Sequence, residues 1–323
     1  MSEVAIGIDV GGTKALALVV ARDGRVLGEA HALTPHDDQL APGEATTRVL
    51  ADQVETLCRK LQLNPASIPI GLGLPGMVRR DGHLAYAPNL QSASGAELGV
   101  QLASLLGSSL VVVDNDANCA ALAEHEWGAA RGVRDFVMVT LGTGIGGGVF
   151  VDDRLVRGQS GFAGEIGHMV VVANGAPCPC GGRGCWERYA SGGGLQRLVA
   201  EAAREGRLAD LADARGGAEN LRPEDVTESA RQGSSEAQAL LFEMGWWLAL
   251  GLSNLSAILD CGHFVIGGGL SSAAELFLPS TRDALTQLVE GYRARPTITV
   301  TTSLFGPRSG AMGASLVAFE RLA

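Results

Sequence analysis

Four potential metal ligands lie close together near the middle of the chain. They are one histidine and three cysteines: His168, Cys178, Cys180 and Cys185. Four such ligands fill the tetrahedral shell of a zinc ion and leave no open position for a catalytic water. The glycines among the cysteines permit the tight turns that such a knuckle needs. Four unrelated residues or a disulfide are the alternatives, but disulfides rarely persist in the cytosol. The spacing predicts a structural zinc site.

Two glutamates flank these ligands. Glu165 lies three residues before His168, and Glu187 lies two residues after Cys185. A bound metal would hold both carboxylates in a fixed geometry, which suits recognition of the hydroxyl groups of a polyol. The alternative is that each is an ordinary solvated acid.

Two further acidic residues, Asp114 and Asp116, follow an apolar stretch, with Asn115 between them. That stretch, residues 110–113, is predicted to be a buried strand, and a helix is predicted over residues 117–130. A carboxylate at such a junction can accept the proton of a hydroxyl group that attacks a phosphate. Asp116 and Asp114 are both candidates for this general base, and Asp114 has the alternative role of capping the helix.

Two segments of the chain repeat the same predicted order of strand, glycine turn and strand. Their glycine turns are candidates for binding phosphate. The first spans residues 4–33 and the second residues 135–157, which we interpret as an internal duplication. Each turn presents backbone N–H groups, unobstructed by Cβ atoms, to phosphate oxygens. Neither turn has the Walker A spacing, so Lys14 is not assigned the role of a Walker lysine. The predicted nucleotide-binding residues are Gly11, Gly12, Thr13 and Lys14 in the first turn and Gly142, Thr143 and Gly144 in the second.

A further glycine run, Gly267, Gly268 and Gly269, follows a predicted strand at residues 263–266 and precedes a helix from residue 273. Backbone without side chains at this point lets a flat group such as adenine lie against it.

Composition excludes several classes of partner. The chain has 323 residues, with 25 basic and 35 acidic side chains and a net charge of -10, so nucleic acid is not an expected partner. The most apolar stretch, residues 244–259, is interrupted by Ser253, Asn254 and Ser256 and predicts a buried helix rather than a membrane span. No targeting segment precedes the first strand, so we expect a cytoplasmic protein.

Several short motifs together resemble one family. They are DVGGTK from Asp9, LPGMV from Leu74, APNL from Ala87, DNDAN from Asp114, GTGIGGG from Gly142, GEIGH from Gly164, CPCGGRGCWE from Cys178 and IGGGL from Ile266. They resemble the ROK family of sugar kinases and repressors over essentially the whole chain. The resemblance implies an α/β protein with the two-lobed, actin-like (ribonuclease H-like) ATPase fold.

The resemblance also implies a function, the ATP-dependent phosphorylation of a hexose, with glucose converted to glucose 6-phosphate. Asp116 is then the general base, Asp9 holds Mg2+ through water, and Gly267 to Gly269 face the adenosine. The implied sugar-binding residues are Gly76, Asn89, Asn115, Asp116, Glu165, His168 and Glu187, and the implied zinc ligands are the four named above. Fructose, mannose or an N-acetylhexosamine as acceptor, and polyphosphate as donor, stay open.

The family resemblance sets expectations about organisation. Its repressors carry an additional N-terminal helix-turn-helix, whereas the first predicted strand here begins at Val4, so we expect an enzyme rather than a sugar-sensing regulator. We expect a small lobe at residues 1–114, completed by a C-terminal helix at about 303–323, and a large lobe at 115–302 with the zinc knuckle at 168–185. We also expect a homo-oligomer, either a dimer or a tetramer.

Overall fold

The protein has an α/β architecture, seen in a computed structural model that describes residues 3–35, 39–108 and 110–320. The strands are β1 (Val4–Val10), β2 (Lys14–Ala21), β3 (Val26–Leu33), β4 (Ile70–Leu74), β5 (Met77–Val78), β6 (Leu84–Tyr86), β7 (Val111–Asn115), β8 (Phe136–Leu141), β9 (Ile145–Val151), β10 (Arg154–Leu155), β11 (His263–Gly267) and β12 (Thr299–Thr302). The helices are α1 (Glu44–Leu61), α2 (Leu98–Leu106), α3 (Asp116–Glu126), α4 (Glu187–Ala190), α5 (Gly192–Arg204), α6 (Ala209–Ala214), α7 (Pro223–Arg231), α8 (Ser235–Leu259), α9 (Ala274–Leu288) and α10 (Ser309–Glu320).

Two five-stranded sheets share one strand order. The first runs β3-β2-β1-β4-β7 and the second β10-β9-β8-β11-β12. In the first, β1 pairs antiparallel with β2 and parallel with β4, and β4 pairs parallel with β7. In the second, β9 and β10 are antiparallel, whereas β11 pairs parallel with both β8 and β12. The shared order of an antiparallel meander followed by parallel strands supports the predicted duplication.

Helices cover both faces of the first sheet. The β1 side chains that alternate to one face, Ile6 and Ile8, belong to a buried cluster with residues of α1 and α2. On the opposite face α10 packs against β1 and β4. Glycine allows this close approach, because a Cβ at Gly7 or Gly71 would lie within 2 Å of a backbone carbonyl oxygen of α10.

A buried glutamate fixes the start of α10. Glu124 is fully buried, and its carboxylate accepts hydrogen bonds from the backbone N–H groups of Ala129, Leu304 and Phe305 and from the Ser309 hydroxyl, at 2.8 to 3.2 Å. Four donors replace the water that a buried carboxylate loses. Glu124 therefore ties α3 to the beginning of the C-terminal helix.

The chain divides into two compact units. The first comprises residues up to Arg134, residues 147–164 and those from Ser303 onward, and the second comprises residues 135–146 and 165–302. Residues 115–134 and 147–164, which we expected in the large lobe, are grouped with the first unit, where α3 packs against α10 and β4. The last residues of the expected C-terminal segment, 321–323, lie outside the described residues.

The apolar stretch at residues 244–259 forms part of α8 and contributes buried side chains along its length, as predicted. Among the helices that the structure describes, none combines the length and apolar character needed to cross a lipid bilayer.

Candidate functional site

In the first unit, β1, β4 and β7 are neighbouring parallel strands, and an acidic residue lies near the carboxyl end of the two outer ones, β1 and β7. Asp9 on β1 pairs with Gly73 on β4, and Gly73 pairs with Asp114 on β7, so the three residues form one row across the sheet. Asp116 follows two residues later as the first residue of α3. The thiol of Cys119, one turn further along α3, has a pKa raised well above its usual value by burial and by the charges of these carboxylates.

Asn115 caps α3. Its side-chain oxygen accepts hydrogen bonds from the backbone N–H groups of Ala117 at 2.9 Å and Asn118 at 3.1 Å, and its amide nitrogen donates to the carbonyl of Gly76 at 3.0 Å. The suggestion that Asp114 performs this capping was therefore wrong, because β7 continues through Asn115 and the helix begins one residue later. The cap fixes Asp116 at the N-terminus of α3.

Asp114, the rival candidate for the general base, is held in an ion pair. One carboxylate oxygen accepts hydrogen bonds at 2.8 Å from two nitrogens of the Arg157 guanidinium. The other accepts from the Asn118 side chain at 3.0 Å and from the Asn115 backbone at 2.8 Å. Asp114 is nearly buried, and these four contacts hold its carboxylate in place at the end of β7.

Asp9 lies where β1 enters the first glycine turn. Burial raises the pKa of its carboxyl to about 6, and the positive charge of Lys14 opposes the shift. A Cβ at Gly310, in the first turn of α10, would lie 2.6 Å from the carboxylate. At neutral pH the group is mainly ionised and can attract a cation.

The first glycine turn contacts the segment that carries Asn89. The N–H of Gly11 donates to the carbonyl of Lys14 at 2.9 Å, and the Thr34 hydroxyl donates to the carbonyl of Gly11 at 2.8 Å. A Cβ at Gly12 would lie 2.5 Å from the carbonyl oxygen of Asn89. Because glycine has no Cβ, the predicted nucleotide-binding turn can lie directly against Asn89, a predicted sugar-binding residue.

In the second unit, the four predicted metal ligands converge. One ligand atom from each of His168, Cys178, Cys180 and Cys185 lies within 4.8 Å of all the others. The sulfurs of Cys180 and Cys185 are 3.7 Å apart, which is close to the separation of two thiolates on one tetrahedral zinc ion with bonds of about 2.3 Å. None of the six cysteines forms a disulfide in this structure. The donor set and its spacing fit zinc.

The two ring nitrogens of His168 face different groups. Its Nδ1 lies 3.9 Å from the Cys178 sulfur and 3.8 Å from the Glu187 carboxylate, whereas its Nε2 lies 3.8 Å from the Glu165 carboxylate. Burial raises the pKa of Glu165; His168 opposes the shift and the charge of Glu187 adds to it. One histidine can therefore contribute Nδ1 to the metal cluster and direct Nε2 towards the carboxylate at Glu165.

A tryptophan anchors the knuckle to α8. Trp186, between the last cysteine and Glu187, is fully buried and donates its indole N–H to the carbonyl of Trp247 at 2.8 Å. A Cβ at Gly251 would lie 2.0 Å from the indole ring. The ring thus packs directly on the α8 backbone, which fixes Cys185 and Glu187 on either side of it.

Gly251→Ala should disturb this anchor, because the added methyl would force the indole of Trp186 away from α8. For the zinc site and the hexose substrate that the family resemblance implies, we expect weaker metal retention and an increase of about tenfold in the KM for the sugar, measured by metal analysis and initial rates. Gly245→Ala, on the same helix, is the matched control. Its added methyl would also meet a neighbour, but that neighbour is Ser280 on α9, whose Oγ would be 2.1 Å away, and not Trp186. The control should lower Tm and leave both readouts unchanged; equal effects of the two variants would contradict the anchoring role.

The second glycine turn and the third glycine run lie at the ends of adjacent strands. The turn is tight, with the N–H of Gly142 donating to the carbonyl of Gly144 at 3.0 Å. Gly268 has a φ of +79°, and a Cβ there would lie 2.5 Å from the carbonyl oxygen of Leu141. The glycine run at the end of β11 is therefore pressed against the residue that precedes the turn.

The structure groups the predicted site residues by unit. The first unit contains Asp9, Gly11, Gly12, Thr13, Lys14, Gly76, Asn89, Asn115 and Asp116, and the second contains Gly142, Thr143, Gly144, Glu165, His168, Cys178, Cys180, Cys185, Glu187, Gly267, Gly268 and Gly269. Sequence reasoning missed Arg157, Trp186 and Ser191. The glycines after Ser191 were a usable signal, since three consecutive glycines are unusual at the start of a helix.

Comparisons with known proteins match the whole chain. A sequence profile of the ROK family matches residues 5–321. Glucokinase from Streptomyces coelicolor is 34% identical over 98% of this chain and 97% of its own length. N-acetylmannosamine kinase from Citrobacter koseri is 32% identical over 97% of this chain and 98% of its own. The crystal structure of a ROK family glucokinase from Streptomyces griseus in complex with glucose and AMPPNP has a TM-score of 0.87 at 33% identity, covering 98% of this chain and 99% of that one.

Proposed function

This chain belongs to the ROK family, and we propose that it is an ATP-dependent hexose kinase whose preferred acceptor is glucose. The observation that supports this proposal most strongly is the whole-chain similarity to a glucokinase crystallised with glucose and AMPPNP. Family membership confirms the predicted actin-like fold class. We further propose that the enzyme acts in the cytoplasm, where its nucleotide is available, and as a homo-oligomer.

Asp116 is the proposed general base. In the reaction the hexose hydroxyl oxygen forms a bond to the γ-phosphorus of ATP while the bond from that phosphorus to the β-γ bridging oxygen breaks, which releases ADP. The hydroxyl proton passes to the Asp116 carboxylate. Asp114 is less suited to this role because it already pairs with Arg157, Asn118 and the Asn115 backbone.

The nucleotide is proposed to bind through backbone groups. The turns at residues 11–14 and 142–144 would donate N–H groups to its phosphates, and the glycine run at residues 267–269 would face the adenosine. When bound, Mg2+ neutralises phosphate charge, and Asp9 is the carboxylate proposed to hold it through water.

Sugar recognition is proposed for Gly76, Asn89, Asn115, Asp116, Glu165, His168 and Glu187. The Asn115 amide nitrogen has two hydrogens and gives one to the Gly76 carbonyl, so the second can be donated to a sugar hydroxyl. Glu165 and Glu187 supply acceptors, and His168 supplies a donor at Nε2 when Nδ1 holds a metal.

Zinc is the metal proposed for the cluster of His168, Cys178, Cys180 and Cys185. With four protein ligands it would have a structural role, holding the loops of Glu165 and Glu187 in place.

Initial rates across a panel of hexoses, each with ATP and with polyphosphate, test the proposal. We expect the highest kcat/KM for glucose with ATP. N-acetylmannosamine belongs in the panel because one similar kinase is named for it; a higher kcat/KM for that sugar would reassign the acceptor. Absence of sugar phosphorylation with every acceptor would contradict the function.

A further inference from the structure

The helix that follows the metal cluster begins with three glycines. Residues Gly192, Gly193 and Gly194 open α5, although glycine is among the least favourable residues in a helix. A Cβ at Gly192 would lie 2.8 Å from the carbonyl oxygen of Gly142, and one at Gly193 would lie 2.7 Å from that of Thr143. The start of α5 therefore lies directly against the second glycine turn, and only glycine permits that distance.

Hydrogen bonds orient the peptide groups of this turn. The N–H groups of Gly192 and Gly193 donate to the carbonyls of Gly142 at 2.8 Å and Thr143 at 3.0 Å. The Ser191 hydroxyl is 2.9 Å from the same Thr143 carbonyl. In a planar trans peptide the N–H points opposite to the C=O. With these two carbonyls directed at α5, the N–H groups of Thr143 and Gly144 are directed away from it, as phosphate binding requires.

Ser191 also contacts the segment that carries Glu187. Its hydroxyl oxygen is 2.5 Å from the backbone carbonyl of Glu187, and it accepts a hydrogen bond from the N–H of Gly194 at 3.0 Å as the cap of α5. A serine hydroxyl has one hydrogen, so it is shared between the carbonyls of Thr143 and Glu187. The Glu187 carboxylate itself lies against Gly144, where a Cβ would be 2.3 Å from Oε2.

We propose that Ser191 is a positioning residue that orients the Gly142–Gly144 turn for phosphate binding and couples it to hexose binding at Glu187. This inference rests on the proposed function of both groups. A hexose that orders Glu187 orders the same segment that holds the turn, so the sugar should tighten nucleotide binding, and the nucleotide should tighten sugar binding by the same factor.

Ser191→Ala tests the proposal. We expect the Kd for AMPPNP, measured by calorimetry without sugar, to rise about tenfold, the scale of weakening one hydrogen bond to a charged group. The ATP KM should rise similarly while kcat changes less than about threefold. In the wild type, glucose should lower the AMPPNP Kd, and in the variant this effect should shrink.

Ser256→Ala is the matched control. Ser256 and Ser191 are each 1% exposed, and the Ser256 hydroxyl donates to the Cys261 carbonyl at 2.8 Å, away from the turn. It should lower Tm without changing nucleotide affinity. Ser191→Ala with wild-type AMPPNP affinity, or with the same affinity change as the control, would overturn the positioning role. AMPPNP binding is measured without turnover, so this test of Ser191 does not depend on catalysis. The proposed function fails on a different result, namely that the wild-type protein phosphorylates no hexose.

Discussion

Asp116→Asn should lower kcat for hexose phosphorylation by about 100-fold or more while leaving the fold and glucose binding largely intact. The amide has almost the same size as the carboxylate but cannot accept the hydroxyl proton, and loss of a general base typically costs a factor of about 10² to 10⁴. Rates under saturating ATP and glucose, together with glucose titration by calorimetry, measure the two effects separately.

Asp114→Asn is the informative comparison, since it removes a carboxylate two residues away. We expect it to lower Tm, because the part-buried Arg157 loses the charge of its partner. We expect it to lower kcat less than Asp116→Asn does. Near wild-type turnover of Asp116→Asn, combined with an inactive Asp114→Asn that still folds, would assign the base to Asp114.

Removal of a metal ligand should have the second large effect. Cys178→Ser and Cys180→Ser are each expected to reduce bound zinc from about one ion per chain towards zero and to abolish most hexose phosphorylation. A structural zinc can contribute on the order of 10 kcal/mol to ordering its own loops, and without it the carboxylates of Glu165 and Glu187 lose their fixed geometry. Metal analysis and hexose KM report the two consequences.

The rest of the chain should fold without the metal, because the large buried cluster that joins β1 to α1 and α2 contains none of these ligands. Circular dichroism should therefore change little in either variant. Cys261→Ser is the matched control: Cys261 is a buried cysteine of the same unit outside the cluster, and its replacement should retain zinc and activity. Fully active wild-type protein that contains no zinc would contradict the metal proposal.

Much of the candidate site could be predicted from the sequence because its parts are local. The four metal ligands lie within eighteen residues, so their types and spacing were enough to predict their convergence. The glycine turns were predictable for a similar reason, since each joins two strands that follow one another in the chain. The apolar stretch at residues 244–259 was likewise predictable as a helix, and it lies within α8 and ends with it at Leu259.

The tertiary structure decided which partners surround each of these residues. Asp114 and Asp116 were equivalent candidates in sequence, and the difference between them depends on Arg157, which is 43 positions away from Asp114. The contact of Trp186 with α8 and that of Ser191 with Thr143 likewise join segments separated by 61 and 48 positions. No periodicity or spacing relates such distant positions, because sheet register and helix packing set their distances. The sequence therefore determined the chemical groups, and the packing determined which partners each of them contacts.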